Sequence, residues 1–322
     1  EEHWKQVFAK LRMPRGITLE KLAVGHFLTD ETLGELAGAA GWLKEMTSRA
    51  QGEVSIREAL SELHAWMQTA EFALMDHESA VNGAVTPLIK DWKDLFTELG
   101  DNMSLLGSLN QSPYFKPFAD TAAQYGTRMG VLDDCANKLN SIQRRWVYLE
   151  PVFGRGALPS EQPRFQRVHG DFRDIMQRIS KDPRVFNVTD DALFPSLAQQ
   201  LGTMSEQLER CQKALSAFLE EKRAAMPRFY FLGDEDLLEI LGQASNPNVI
   251  QAHLKKLFQG IHRVVIADGR ITAMRSVAGE EVALVSPVPV TDDVTTWLNT
   301  LVRSMKETLK QSLVQAVEAG PG

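Results

Sequence analysis

The chain has 322 residues, of which 43% are hydrophobic and 24% are charged, and its formal net charge is −7. These proportions are ordinary for a globular protein and exclude the disordered classes, while the acidic balance disfavours a nucleic-acid surface or a polybasic membrane contact. No run of about 18 apolar residues occurs, and the first residues, EEHWKQ, form no signal peptide. We therefore expect no membrane insertion, and the start at Glu1 and the tail AGPG are expected to be cut ends of a longer chain.

Two cysteines, Cys135 and Cys211, lie far apart in the sequence and each falls on an apolar helical stripe. Buried free thiols in a reducing compartment are favoured over a disulfide, because cysteines on a helical stripe behave as small apolar side chains.

Residues 1–52 show short helical patterns that several glycines weaken. From Ser55 onwards, apolar residues recur at steps of three and four, which predicts a long helix that ends near Asn82-Gly83. A second helix is expected from about Ala84 to Leu99. The stripe of the first of these helices consists of Leu60, Leu63, Met67, Ala70 and Leu74.

A further long helix is predicted from about Pro113 or Tyr114, and it reaches a stretch that we call the joint, RRWVYLEPVFGRGALPSEQPRFQR. There an aromatic-rich helix runs into a proline, is broken by two glycines, and restarts after two more prolines. Proline removes a backbone donor and glycine tolerates unusual dihedral angles, so a change of direction costs least at this point. The candidate hinge residues are Pro151, Gly154, Gly156 and Pro159.

Beyond the joint, a helix from about Phe165 is predicted to end at Lys181-Asp182-Pro183. Apolar residues then alternate at steps of four and three, which predicts a helix from Pro195 to Arg223 that is roughly 43 Å long. Packing inside a bundle and a coiled-coil dimer seam both explain this stripe, and bundle packing is the more frequent use of only three heptads.

The pattern changes after Met226-Pro227. RFYFLG is β-prone, whereas DEDLLEILGQ and NPNVIQAHLKKLFQGI predict short helices. Turn signals at Asp268-Gly269 and Ala278-Gly279 indicate two tight hairpins and hence about three strands. A final helix is predicted from about Asp293 to Val317. Its inward positions are expected to be Leu298, Leu301, Met305, Leu309 and Leu313.

Together these elements predict a mainly α fold, an elongated rod of stacked helical bundles with a small antiparallel β-hairpin sheet near the C-terminal end. Four subdomains are expected, over residues 1–83, 84–152, 153–225 and 226–322.

The residue patterns predict no catalytic, cofactor-binding or metal site. No phosphate-binding GxxxxGK[ST] motif occurs, and Gly154-Arg155-Gly156 lacks the Lys and hydroxyl residue that such a loop uses. The seven histidines show neither HExxH nor a zinc-ligand spacing. Arg144-Arg145 suits either an acidic partner or the negative end of a helix, and the aromatic residues of the joint suit either core packing or a ligand pocket.

Three stretches resemble a known family. The first lies around the joint, QRRWVYLEPVFGRGALPSEQPRFQRV, and it looks like the linker region of dynein heavy chains. Its GRGALP form is most similar to the dynein 2 class, which drives retrograde intraflagellar transport. The other two are FLEEKRAAMPRFYFLGDEDLLEILGQASNPNVIQAHLKKLFQGI and KDWKDLFTELGDNMSLLGSLNQSPYFKPF, in the order that the family has.

This resemblance implies a lever that lies across a ring of AAA+ modules, continues at its C-terminal end into the first module, and bends and straightens as ATP is turned over. ATP and Mg would then belong to the ring of the longer heavy chain. The implied partners are the AAA+ ring of the same heavy chain, a second heavy chain in a homodimer, dynein 2 intermediate and light chains, and transport-train proteins. The implied locations are the cilium or flagellum and the cytoplasm.

Candidate contacts with the ring are Trp4, Phe8 and Arg15, each of which also suits a purely structural role. An alternative to the lever is a passive, spectrin-like helical scaffold or protein-binding platform with no conformational cycle. Such a scaffold would share the helical stripes but would not explain the hairpins or the joint. A helical enzyme would need a converging polar site, and the sequence patterns indicate none.

Overall fold

The computed structural model describes residues 2–14, 16–156, 158–243 and 246–320, and this part of the chain is mainly helical, as predicted. Its helices are α1 (Glu2–Lys10), α2 (Asp30–Thr69), α3 (Trp92–Leu109), α4 (Ala119–Gly154), α5 (Gln162–Lys181), α6 (Leu197–Ala225), α7 (Asp234–Gly242), α8 (Pro247–Leu257) and α9 (Val294–Ala319). Its strands are β1 (Leu74–Glu78), β2 (Val85–Ile89), β3 (Arg263–Ala267), β4 (Arg270–Arg275) and β5 (Glu281–Pro289).

The chain forms two compact units. Unit 1 comprises Glu1–Met75, Ile89–Asn137 and Arg178–Gln199, and unit 2 comprises Asp76–Leu88, Lys138–Gln177 and Gln200–Gly322. The joint lies within the residues of unit 2. The boundaries of the four subdomains expected from the sequence differ from the boundaries of these two units. The division into four subdomains stays a prediction.

The spine of unit 1 is α2, a single helix of 40 residues. The first two short helical pieces expected before residue 52 are present, as α1 and as 3-10 turns over Leu19–Lys21 and Val24–Phe27. The last is wrong, because α2 begins at Asp30 and runs through the glycines at 34, 38 and 41, where an added methyl group would meet open space. Thr29 caps its N-terminus by accepting a hydrogen bond from Thr32 N at 3.3 Å. Buried residues recur along it mainly at steps of seven, on one face: Ala39, Met46, Glu53, Ile56, Leu60, Leu63 and Met67.

Helix α1 packs on α2 through one charged contact and one apolar cluster. His3 Nε2 lies 3.0 Å from a Glu53 carboxylate oxygen, and Arg49 Nε donates to the same carboxylate at 2.8 Å. Burial alone would raise the pKa of Glu53, but the Arg49 hydrogen bond and the charges of His3 and Arg49 hold it below its ordinary value. Leu11 and Met13, with Ala39 on α2, form the adjoining core.

The predicted end of the first long helix at Asn82-Gly83 is wrong. Helix α2 ends at Thr69, and residues 74–89 form an antiparallel two-stranded hairpin. Pro87 lies inside the second helix that we expected, and proline removes the backbone donor that a helix interior requires. Asn82 and Gly83 form the turn instead, with Gly83 at φ +69°.

In unit 2, α6 carries the stripe that the sequence predicted, and the stripe is buried within this one chain: Leu201, Met204, Leu208, Cys211 and Leu215. Because these side chains pack in the core of this one chain, bundle packing is confirmed, and this stripe of α6 leaves no exposed apolar seam for a coiled-coil partner. Both Cys135 and Cys211 are buried thiols that form no disulfide within the described residues, as predicted, and burial raises the pKa of the Cys211 thiol.

The predicted three-stranded sheet is confirmed, with the order β3-β4-β5 and antiparallel pairing. Side chains pair with both of its edges. The Gln251 amide on α8 donates to Val264 O at 2.8 Å and accepts from Val264 N at 3.1 Å, as a neighbouring strand would do. On the other edge, Thr308 accepts from Val285 N at 3.0 Å. Backbone groups that an edge strand leaves open are thereby satisfied.

Two further details of the C-terminal region differ from the predictions. Most of the segment RFYFLG, which the sequence marked as β-prone, lies in a 3-10 turn over Pro227–Phe231, because the preceding Pro227 supplies a fixed φ at the turn start and no ladder donor. In α9, Leu298, Leu301 and Met305 are buried as expected, but Leu309 is 57% and Leu313 66% exposed. The apolar stripe of α9 thus continues beyond the core against which the first part of the helix packs.

Candidate functional site

The joint is a reversal of the chain between α4 and α5. Helix α4 continues through Pro151 and ends at Gly154, and α5 begins at Gln162. Gly156 has φ +81°, in the left-handed region that favours glycine. Gly156 N donates to Phe153 O at 3.0 Å. The predicted break is therefore confirmed, and the glycine at 156 is needed for the conformation of the turn.

Aromatic stacking holds the two arms of the reversal together. The rings of Phe153 and Phe165 are nearly parallel, at 10°, with centroids 4.6 Å apart, and both side chains are buried. Further from the turn, the ring centroids of Trp146 and Phe172 lie 5.0 Å apart. Contacts that pair residues before the turn with residues after it in reverse order define an antiparallel helix hairpin. The aromatic residues of the joint therefore serve core packing, which was the more frequent of the two uses considered.

A histidine completes this aromatic cluster. Trp146 Nε1 donates a hydrogen bond to His169 Nδ1 at 3.2 Å, and the two rings stack with centroids 5.6 Å apart. Since indole is only a donor, Nδ1 must be unprotonated to accept this bond. Burial lowers the pKa of His169, and the charge of Arg173 lowers it further. The neutral imidazole is thus the form that fits the cluster.

The tip of the β1-β2 hairpin packs against the last turns of α4. Alternate residues point towards the helix, as a strand and its extension require. The ring of His77 meets Trp146 edge-on at 5.5 Å, and the buried Ser79 hydroxyl donates to the buried Glu150 carboxylate. Val81 lies so close to Gly154 that a Cβ added to the glycine would be 2.7 Å from Val81 Cγ2. Gly154 is therefore required by the close approach of Val81.

A groove of about 1140 Å³ opens beside the joint, entirely within unit 2. Its lining includes Arg144 and Arg155, from α4 and the turn that follows it. Helix α7 contributes Glu235 and Glu239 to the lining, and the Glu239 carboxylate lies 3.0 Å from His253 Nε2. The remaining lining is largely apolar: Val147, Pro151, Val152, Leu158, Phe218, Leu238 and Leu241.

One end of this groove is fixed by hydrogen bonds between α4, α6 and α7. Tyr148 donates its hydroxyl to Asp234 at 3.3 Å, and Arg223 contacts the other carboxylate oxygen at 2.6 Å. Burial raises the pKa of Tyr148, and the negative charge of Asp234 adds to that effect. Arg145 donates to Ser205 O at 3.4 Å. Arg144 is the residue of the arginine pair that stays exposed.

The candidate ring contacts lie apart from the joint in sequence and belong to unit 1. Trp4 and Phe8 are on α1 with ring centroids 5.8 Å apart, and Trp4 is 41% exposed while Phe8 packs against the cluster of Leu11 and Met13. Arg15 lies outside the described residues. A contact role for these three side chains stays a prediction.

Sequence reasoning missed the hairpin and with it Ser79 and Val81, the residues that contact the end of α4. A signal was present, because Asn-Gly followed by Val85-Thr86 is typical of a hairpin turn entering a strand. The apolar stripe of α2 ran on to Leu74 in the sequence and masked that signal.

The described residues contain no group of three or more His, Cys, Asp or Glu side chains placed to hold a metal ion. No helix in the described ranges combines the length and apolar character needed to cross a bilayer. The joint therefore consists of a packed helix reversal, a hairpin that contacts it, and a groove whose lining contains both arginine and carboxylate side chains.

Comparisons with known proteins give a consistent result. Residues 1–316 match the family model described as dynein heavy chain, N-terminal region 2. The chain is 52% identical over 322 residues to cytoplasmic dynein 2 heavy chain 1 of Rattus norvegicus and 51% identical over 321 residues to that of Homo sapiens. It is 34% identical over 330 residues to the cytoplasmic dynein heavy chain of Caenorhabditis elegans. These matches cover 98–99% of this chain but only 7% of each relative.

Proposed function

Since the chain belongs to the dynein heavy chain family, we propose that it is the linker, the mechanical lever arm, of a dynein 2 heavy chain. The observation that carries this proposal is the match of residues 1–316 to the N-terminal region 2 model, together with about 50% identity to dynein 2 heavy chains of several animals. In this proposal the lever bends and straightens across an AAA+ ring as ATP is turned over, and the parent motor drives retrograde intraflagellar transport towards microtubule minus ends.

The chemistry of the motor is assigned to the rest of the heavy chain. The chain spans about 7% of the length of its dynein 2 relatives. ATP and Mg would bind in the ring, where hydrolysis would occur. The partners would be the ring itself, a second heavy chain, the dynein 2 intermediate and light chains and transport-train proteins, and the location would be the cilium or flagellum and the cytoplasm.

We propose that flexing is centred on residues 151–159. The turn residues Gly154, Arg155, Gly156 and Pro159 are exposed, and apart from the bonds within α4 the described residues 154–156 form one backbone hydrogen bond, from Gly156 N to Phe153 O. The flanking helices are held by buried aromatic stacking at Phe153. A bend at this turn must part the stacked rings of Phe153 and Phe165, so the proposal requires that contact to open in one of the two forms of the lever.

The energetic requirement is modest. To move a two-state equilibrium from 1:99 to 99:1, nucleotide-dependent docking must supply roughly 5.5 kcal/mol of differential contact energy. About that amount is supplied when two or three medium-sized apolar side chains are buried in one form of the lever and exposed in the other, at about 1.5–3 kcal/mol each. A lever of this kind needs no catalytic group of its own.

Alanine substitutions of the two glycines in the full heavy chain test this assignment. Gly154→Ala crowds Val81, and Gly156→Ala places a Cβ on a residue with φ +81°. Both substitutions therefore disfavour the observed conformation of the turn between α4 and α5. We expect the double variant to move more slowly along microtubules while its basal ATP hydrolysis is largely kept, because the ring is untouched.

The matched control is Gly130→Ala with Gly170→Ala. Both glycines are in the helices that flank the joint, and an added Cβ meets nothing within 4 Å at either one. We expect this pair to leave velocity unchanged. If the joint pair also leaves velocity unchanged, the joint is not the flexing point, and a passive spacer of constant length becomes the better account.

A further inference from the structure

We propose that Asn82, at the tip of the β1-β2 hairpin, is a site of spontaneous deamidation that converts it into aspartate and isoaspartate. The sequence contains a single Asn-Gly pair, Asn82-Gly83, and both residues are exposed. This modification is independent of the proposed mechanical function, but it falls on the hairpin that rests against the joint.

The reaction needs no oxidant and no enzyme. The backbone nitrogen of Gly83 attacks Cγ of Asn82, the new N–Cγ bond closes a five-membered succinimide, and the Cγ–Nδ2 bond breaks with release of ammonia. Water then opens the ring at either carbonyl, which gives aspartate or, with the chain rerouted through the side chain, isoaspartate. Overall one water is consumed and one ammonia is released.

The hairpin geometry favours the attack. The Asn82 side chain is folded over the backbone that follows it, because its Oδ1 accepts a hydrogen bond from Ala84 N at 3.0 Å. That turn brings Cγ towards the intervening nitrogen of Gly83. Glycine has no side chain to hinder ring closure, and an exposed tip admits the water that opens the ring.

One contact opposes the reaction and sets its rate. Gly83 N donates a hydrogen bond to Ser79 O at 2.9 Å, so the tip must open locally before the nitrogen is free to react. Tips of exposed hairpins open with low free energy compared with core strands. The rate of deamidation therefore reports how firmly Ser79 and Val81 hold the tip against α4.

The product changes the charge where the hairpin meets the joint. Each conversion adds one negative charge to a chain whose formal net charge is already −7. The new carboxylate would stand beside Glu78, whose Oε1 lies 3.6 Å from the position of a Cβ on Gly83. Repulsion between like charges loosens the turn, and isoaspartate also lengthens the main chain there by one methylene.

Asn246 supplies a matched control within the same chain. Its Oδ1 accepts from Asn248 N at 3.2 Å, which is the same side-chain turn, and it is also exposed. The next residue is Pro247, which has no N–H to act as the nucleophile. The two sites thus share the folded side chain and differ in the attacking group.

The test is peptide mapping of the native protein during incubation at mildly alkaline pH. Trypsin releases residues 58–90 as one peptide in which Asn82 is the sole asparagine. We expect the amide-to-acid mass change, with isoaspartate detected by enzymatic methyl transfer, to accumulate in that peptide and not in the peptide that carries Asn246. An Asn82→Ser variant should abolish the signal.

The proposal is overturned if Asn82 keeps its amide in the native protein while it deamidates in urea, because the hairpin would then protect the site. A second readout tests the effect on the tip. Amide hydrogen exchange at residues 79–84 should be faster in Asn82→Asp than in Asn82→Ser, and equal rates would refute the loosening of the turn.

Discussion

Gly154 is the position at which the contact between the hairpin and α4 can be tested most directly. Replacing it with alanine places a methyl group 2.7 Å from Val81 Cγ2, 3.2 Å from Cβ and 3.3 Å from Cγ1. Three atoms of one β-branched side chain surround the new methyl group, and rotation about a single bond cannot move all three away. The hairpin tip must therefore shift.

The size of the effect follows from two opposing contributions. Overpacking of this kind costs about 1–3 kcal/mol, whereas alanine in place of glycine at a helical position gains about 0.5–1 kcal/mol. The difference between the two ranges runs from about 0 to 2.5 kcal/mol, and we expect Gly154→Ala to weaken the contact by a value near the middle, about 1 kcal/mol. Val81→Ala should cost less than about 1.5 kcal/mol, since Val81 is 40% exposed and only part of its burial is lost.

The double variant separates the contact from general destabilisation. With Val81→Ala the two Cγ atoms that crowd the new methyl group are gone, so we expect the combined cost to be at least about 0.5 kcal/mol below the sum of the single costs. The measurement is native-state hydrogen exchange at residues 76–88, which reports the local opening of the hairpin. Additive costs, or no cost of Gly154→Ala alone, would show that Val81 does not rest on Gly154.

Three further outcomes follow from the contacts. The pKa of His169 is lowered, and Trp146 donates to its unprotonated Nδ1. Unit 2 should therefore keep its full stability above the ordinary histidine pKa of 6.5 and lose part of it as pH falls below that value. Urea unfolding midpoints measured from pH 8 to pH 5 test this, and a midpoint that does not change with pH would contradict it. Gln251→Leu should destabilise the three-stranded sheet by about 1–3 kcal/mol, because Val264 N and Val264 O both lose the hydrogen bonds that they form with the Gln251 side chain. An unchanged unfolding midpoint would refute the edge pairing. The lowered pKa of Glu53 means that the stabilisation of α1 by this charged contact is fully present above the ordinary value of 4.5 and is lost as pH falls below it. Exchange of the α1 amides should therefore become faster in acid, and an unchanged rate would count against the charged contact.

The helical part of the fold was readable from the sequence because its side chains obey one period. The stripe of α6 from Leu201 to Leu215 is buried as its spacing predicted, and the turn signals at Asp268-Gly269 and Ala278-Gly279 gave the three-stranded sheet. Local signals of this kind are decided by neighbours in the sequence, so they can be recognised without knowing the fold.

The contacts of the joint were not readable, because they join residues that are distant in sequence. Gly154 looked like a helix breaker, whereas the structure shows that it also makes room for Val81, more than 70 residues earlier. Leu309 and Leu313 continue a helical stripe, yet the core of unit 2 ends before them. Periodicity identifies an apolar face but does not show how far the partner of that face extends.

In the function proposed above, the chain changes shape during the nucleotide cycle of the motor to which it would belong. The direct measurement is the distance between fluorescent labels at Lys10 and Lys310, both exposed, in single full-length heavy chains as ATP, its hydrolysis products and no nucleotide are supplied. A lever predicts two distances whose populations exchange with the bound nucleotide. A single distance in every nucleotide state, in molecules that still move along microtubules, would contradict it.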